Sequence, residues 1–111
     1  MSVAILILTH DLVGTSLLKA AKRTLGSLPA NIVALPICND CELEKITQQV
    51  QQTLTELQNK SPDILILTDL YGATPFNVAQ HFNNGKTVRV ISGINLLRIM
   101  MIGAVAHVTC K

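Results

Sequence analysis

Tryptophan is absent from the chain, and the only aromatic residues are Tyr71, Phe76 and Phe82. A stacking platform for single-stranded nucleic acid is therefore excluded. Charge is scarce in both signs: nine Lys plus Arg against seven Asp plus Glu, for a net +2. The positive residues are scattered apart from Lys19, Lys22 and Arg23. That cluster falls short of the basic stripe a nucleic-acid duplex requires. Apolar runs are short as well, none near the ~18 residues that span a bilayer. The opening Met1-Ser2-Val3-Ala4 lacks the basic start of a secretory leader. Cysteine is limited to an odd count of three, which makes no disulfide framework and points to a reducing compartment. Together these absences lead us to expect a cytoplasmic protein.

What the chain does have is hydrocarbon. Apolar residues make up 49% of its 111 positions and charged residues 14%, so it can bury a core without staples, and intrinsic disorder is excluded. At this length one domain over residues 1–111 is expected. Residues 3–8 (VAILIL) and 64–67 (ILIL) are continuous apolar runs of strand length. Such runs, lacking alternation, mark strands covered on both faces, as in parallel sheets between helices. Residues 32–37 (IVALPI) form a third strand candidate, with Pro36 placing it at an edge. Residues 87–92 (TVRVIS) form a fourth, with Arg89 facing outward.

Helical spacing fills the gaps. Leu17, Ala21, Leu25 and Leu28 recur at intervals of 4, 4 and 3, with Thr15 or Ser16 as the expected N-cap and Gly26 near the end. Leu43, Ile46, Val50, Leu54 and Leu57 recur at 3, 4, 4 and 3, opposite a face of glutamines and charges. Asn39 or Asp40 is the expected cap of this second helix, and Glu42 and Glu44 suit its first turn. A third helix is expected with Thr74 as N-cap, Pro75 at its first position, Phe76, Ala79 and Phe82 inward, and Asn84-Gly85 as the stop. Residues 96–102 suggest a fourth helix and 104–109 a short edge strand. Strands alternating with helices imply an α/β fold. The expected form is a single open, mostly parallel sheet in the order 2-1-3-4, with room for that extra edge strand, and helices on both faces. An unpaired edge strand also raises the expectation of a homodimer.

In such a sheet, ligands bind beyond the carboxyl ends of the strands where strand order reverses. Strand one runs directly into Thr9-His10-Asp11, and strand three into Thr68-Asp69. Neighbouring strands lie ~4.8 Å apart, which brings His10 and Asp69 within reach of each other. A carboxylate on one imidazole nitrogen fixes the tautomer and leaves the other as a nucleophile. Gly14, Gly72, Thr74 and the start of the third helix offer backbone N–H groups and a hydroxyl for phosphate oxygens. Position alone equally allows a loop histidine and an aspartate that merely caps a turn. Cys38-x2-Cys41 also admits two readings, a redox pair or half a zinc site against two ordinary thiols at a helix start. No second CxxC or histidine pair stands at zinc-site spacing, and His81, His107 and Cys110 are isolated. Lys19, Lys22 and Arg23 form a solvated helix face that is at most a docking patch.

Three stretches decide between the readings of the histidine. They are Thr9-His10-x3-Gly14, the run from Asp69 to Asn77 (DLYGATPFN), and Ser92-Gly93-Ile94-Asn95-Leu96. Together they resemble the IIA domain of the mannose/sorbose family of the bacterial phosphoenolpyruvate-dependent sugar phosphotransferase system, over residues 1 to about 96. The resemblance implies a phosphotransferase component with a phosphohistidine intermediate and no cofactor or metal. His10 would accept a phosphoryl group from the histidine-containing carrier protein HPr and pass it to a IIB domain. Asp69 matches the acidic residue that orients this histidine, and Thr9, Gly14, Thr68, Gly72 and Thr74 match the lining of the phosphate site. Residues 97–111 depart from the family's usual continuation, which suggests a shortened or altered C-terminus in the region the family uses for dimerisation.

Other classes fit less well. A response-regulator receiver needs an acidic pair where Thr9-His10 stands. The IIA-like domain of dihydroxyacetone-kinase systems shares the early histidine but not the Gly-Ala-Thr-Pro-Phe-Asn continuation. A flavodoxin-like nucleotide binder needs a richer phosphate loop than His10-Asp11-Leu12-Val13-Gly14. Two functions remain within the family: a relay of phosphate toward a sugar permease, or a phosphorylation-state sensor acting by protein binding without transport. Neither identifies the sugar.

Overall fold

The computed structural model describes residues 3–26, 31–38, 40–69 and 74–93. The elements in chain order are β1 (Val3–His10), α1 (Val13–Leu25), β2 (Asn31–Ile37), α2 (Leu43–Gln58), β3 (Asp63–Thr68), α3 (Thr74–Phe82) and β4 (Val88–Ile91). The four strands form one parallel sheet in the order β2-β1-β3-β4, the topology expected from the alternating pattern. Pro36 indeed lies on an edge strand, and Arg89 is exposed. The expected fourth helix and last strand lie outside the described residues. Among the described residues, no helix is long and apolar enough to cross a membrane.

The unbroken apolar runs follow from two-sided burial. Ala4, Leu6 and Leu8 of β1, with Ile64 and Ile66 of β3, pack under Ile46, Val50, Leu54 and Leu57 of α2 and Val78 and Ala79 of α3. The intervening Ile5 and Ile7, with Leu67, turn to the other face and meet Leu18 and Ala21 of α1. Each fully buried aliphatic side chain of this kind contributes roughly 1.5–3 kcal/mol. On α2 the expected stripe is buried except for Leu43, which is exposed at its N-terminal end. On α1 the buried positions are Gly14, Leu18 and Ala21, while Leu25 is exposed and Leu28 lies outside the described residues. On α3 the buried residues are Pro75, Val78 and Ala79, with Phe76 and Phe82 only half-buried.

The helix starts depart from the expected caps. Neither Thr15 nor Ser16 caps α1, which begins at Val13 with Leu12 at the N-cap and no local side-chain cap. The reason is that the cap comes from the strand: the Gly14 N–H donates to Thr9 Oγ1 at 2.7 Å. Thr9 thereby serves the amide that a side chain at the N-cap ordinarily serves. Asp40 does not cap α2 either. Glu42 holds the N-cap position in an extended conformation without a side-chain cap. The chain first makes a turn in which the Cys41 N–H donates to the Cys38 carbonyl at 3.5 Å, displacing the helix start beyond Asp40. Asn39 lies outside the described residues. After α3, Asn84 organises the stop, its Oδ1 accepting the N–H groups of Lys86, Thr87 and Val88 at 2.8, 2.9 and 3.0 Å.

Candidate functional site

The register places the site. β1 and β3 pair from Val3–Asp63 to Leu8–Thr68, and β1 then continues along β2 until His10 stands opposite Ile37. Thr9 and His10 thus project past the last β1–β3 pair, and Asp69 follows Thr68 directly on the neighbouring strand. His10 Nδ1 lies 2.9 Å from Asp69 Oδ2. The same oxygen accepts the His10 backbone N–H at 3.1 Å. One carboxylate oxygen therefore fixes both the ring and the main chain that carries it. The histidine side chain is 26% exposed and that of the aspartate 12%. The ring is accordingly reachable from solvent while its carboxylate partner is mostly withdrawn.

Beneath this pair, Thr9 is buried, and its hydroxyl is engaged by Gly14. A Cβ at Gly14 would stand 2.6 Å from Ile7 Cγ2 and 2.8 Å from Thr9 Oγ1, so only glycine lets α1 approach β1 this closely. Thr68 is fully buried, and its hydroxyl has no hydrogen-bond partner among the described residues. Thr74 is exposed in the first turn of α3, whose N-terminus faces the same end of the sheet. Gly72 lies outside the described residues.

Two features escaped the sequence reading. Asp11 adopts a left-handed backbone, φ 45°, and its N–H donates to the Ile37 carbonyl at 3.1 Å. Asp and Asn tolerate that conformation better than other non-glycine residues, which was the available signal. Leu12 and Val13, next along the chain at the start of α1, are exposed apolar side chains. The other sequence candidates lie apart from the pair. Lys19, Lys22 and Arg23, with Gly26, line a depression of about 590 Å³ at the C-terminal end of α1. Cys38 and Cys41 are free and exposed, and among the described residues no group of three or more His, Cys, Asp or Glu is placed to hold a metal.

A hydrogen-bonded His–Asp pair at the switch point of a parallel sheet is suited to taking up a phosphoryl group. The family model described as the PTS system fructose IIA component matches residues 4–110. The chain belongs to the IIA family of the sugar phosphotransferase system. That match runs through residue 110 and corrects the expectation that likeness to the family ends near residue 96. The mannose/sorbose-specific IIA subunit from Enterococcus faecalis superposes with a TM-score of 0.78 at 27% identity, covering 93% of this chain and 76% of that one. A PTS IIA protein associated with the fucose utilization operon of Streptococcus pneumoniae shares the fold, with a TM-score of 0.83 at 21% identity over 94% of this chain and 78% of that one. A sigma-54 interaction domain protein from Enterococcus faecalis shares the fold too, at a TM-score of 0.72 and 22% identity, over 96% of this chain and 79% of that one. No curated protein matches the chain. Membership implies a role in phosphoryl transfer, and interaction with HPr and IIB proteins in general.

Proposed function

We propose that this IIA protein carries phosphate on His10, receiving it from phosphorylated HPr and passing it to a IIB domain in sugar uptake. The observation that carries the reading is the 2.9 Å contact between His10 Nδ1 and Asp69 Oδ2. With Nδ1–H donating to the carboxylate, the lone pair lies on Nε2. Nε2 attacks phosphorus, the P–N bond to the carrier's histidine breaks, and the carrier nitrogen leaves with that electron pair. The product ring bears phosphate on Nε2 and a proton on Nδ1, and its positive charge is balanced by Asp69. Transfer onward reverses these steps toward the next acceptor.

The supporting residues divide by burial. Thr9 and Gly14 act as the brace that seats His10, since the Thr9 hydroxyl is already engaged below the surface. Thr74 and Gly72, with the N-terminus of α3, supply the donors for phosphate oxygens, and Thr68 supports Asp69 from within the sheet. Leu12 and Val13 provide an apolar surface against which a protein partner excludes water around the reacting nitrogen. Label carried from phosphoenolpyruvate through HPr tests the reading. Wild-type protein takes up acid-labile, base-stable label, and His10→Ala takes up none; label retained in His10→Ala refutes it. Adding a IIB domain then separates relay from sensor, because only a relay gives its label up.

A further inference from the structure

Cys38 and Cys41 take no part in the site described above, yet the chain ties them to it. Both thiols are free and exposed. The Cys41 N–H donates to the Cys38 carbonyl at 3.5 Å, closing a four-residue turn. A turn of this kind holds its end Cα atoms within ~7 Å, the range that overlaps the ~4.4–6.8 Å bridged by disulfides. Cys38 directly follows Ile37, which stands opposite His10 in the sheet and whose carbonyl accepts the Asp11 N–H at 3.1 Å. The turn is thus one peptide away from the hydrogen bond that holds Asp11 in its left-handed conformation.

We propose that Cys38 and Cys41 form a reversible thiol–disulfide site whose closure is transmitted through Ile37 to the His10–Asp11 corner. The oxidant is a small-molecule disulfide. The Cys38 thiolate attacks one of its sulfurs, that S–S bond breaks, and one thiolate leaves, so Cys38 carries a mixed disulfide. Cys41 loses its proton to solvent and attacks Cys38 Sγ, expelling the second thiolate. Two electrons pass from the protein thiols to the disulfide, which departs as two thiols. Cys38 attacks first because Cys41 holds its proton more firmly than an ordinary thiol, chiefly through its hydrogen bond with Cys38. Closing the S–S bond imposes its own geometry on the turn and so moves the peptide that presents the Ile37 carbonyl. The consequence for phosphoryl transfer rests on the reading of His10 given above, whereas the disulfide and its reach to Asp11 do not.

The test therefore uses no phosphorylation. The full chain is equilibrated with oxidised glutathione and cut with trypsin after Arg23 and Lys45, which leaves both cysteines in the peptide 24–45 and Cys110 in the peptide 99–111. The expected product is peptide 24–45 lighter by two hydrogens, with Asp11 amide exchange in the intact oxidised protein faster by roughly tenfold than in the reduced protein. Cys41→Ser should stop at the glutathione adduct on Cys38 and keep the slow exchange of Asp11. A persistent adduct on the wild-type protein, a cross-link to peptide 99–111, or unchanged Asp11 exchange in the closed form would each overturn the proposal.

Discussion

The bodies and the ends of β1 and β3 are built from different chemistry. Along their bodies, Ala4 to Leu8 and Ile64 to Leu67 are hydrocarbon, nearly all of it buried between helices. At their carboxyl ends the same strands carry Thr9, His10, Thr68 and Asp69, a group of polar residues at and just beyond the last β1–β3 pair, Leu8–Thr68. The lesson is a division of labour along single strands. The bodies supply stability, and the ends use the rigidity so gained to hold a ring and a carboxylate at a fixed distance. Substitutions in the two regions should accordingly affect different measurements.

The largest effect is expected at the ends. Asp69→Asn keeps the shape but removes the charge that balances the phosphorylated ring, so transfer from HPr should slow by ~10²–10⁴. Its urea midpoint should change little. A variant with full transfer rate would reduce Asp69 to a turn cap and dissolve the comparison. Next comes a body residue: Leu6→Ala, at a fully buried position, should cost about 2–5 kcal/mol by urea denaturation. In the fraction that remains folded, the transfer rate should be preserved. Gly14→Ala sharpens the boundary because it strikes both regions, its Cβ meeting Ile7 from the body and Thr9 from the end. A loss of about 1–3 kcal/mol is expected, together with slower transfer as the brace under His10 shifts. Asp11→Gly is the smallest case. Relieving the left-handed backbone should raise stability by under about 1 kcal/mol in thermal melts.

The same division explains what could be read from the chain beforehand. VAILIL and ILIL are legible because burial on both faces leaves no polar position in the pattern, and the parallel sense of the strands follows from the short alternating connections. His10 and Asp69 are legible because each stands one threonine past the end of such a run. The helix starts were less so. A cap on α1 supplied by Thr9, five residues upstream of the amide it serves, leaves no local signature, and Thr15 and Ser16 were attractive only by residue type. The start of α2 was displaced by the turn between Cys38 and Cys41, a backbone event that residue preferences do not encode. The left-handed Asp11 arises from the pull of Ile37 on a neighbouring strand, a tertiary contact that local sequence does not express.

The central claim concerns one atom, and the position of the phosphate on the ring tests it most directly. Because Asp69 engages Nδ1, the phosphoryl group must arrive on Nε2. Protein with ¹⁵N-labelled histidine, phosphorylated through HPr and followed by ¹⁵N and ³¹P NMR at alkaline pH, distinguishes the two nitrogens by their shifts and couplings. The account predicts a single phosphorylated histidine, His10, substituted at Nε2. Phosphate on Nδ1, or on any residue other than His10, would contradict it.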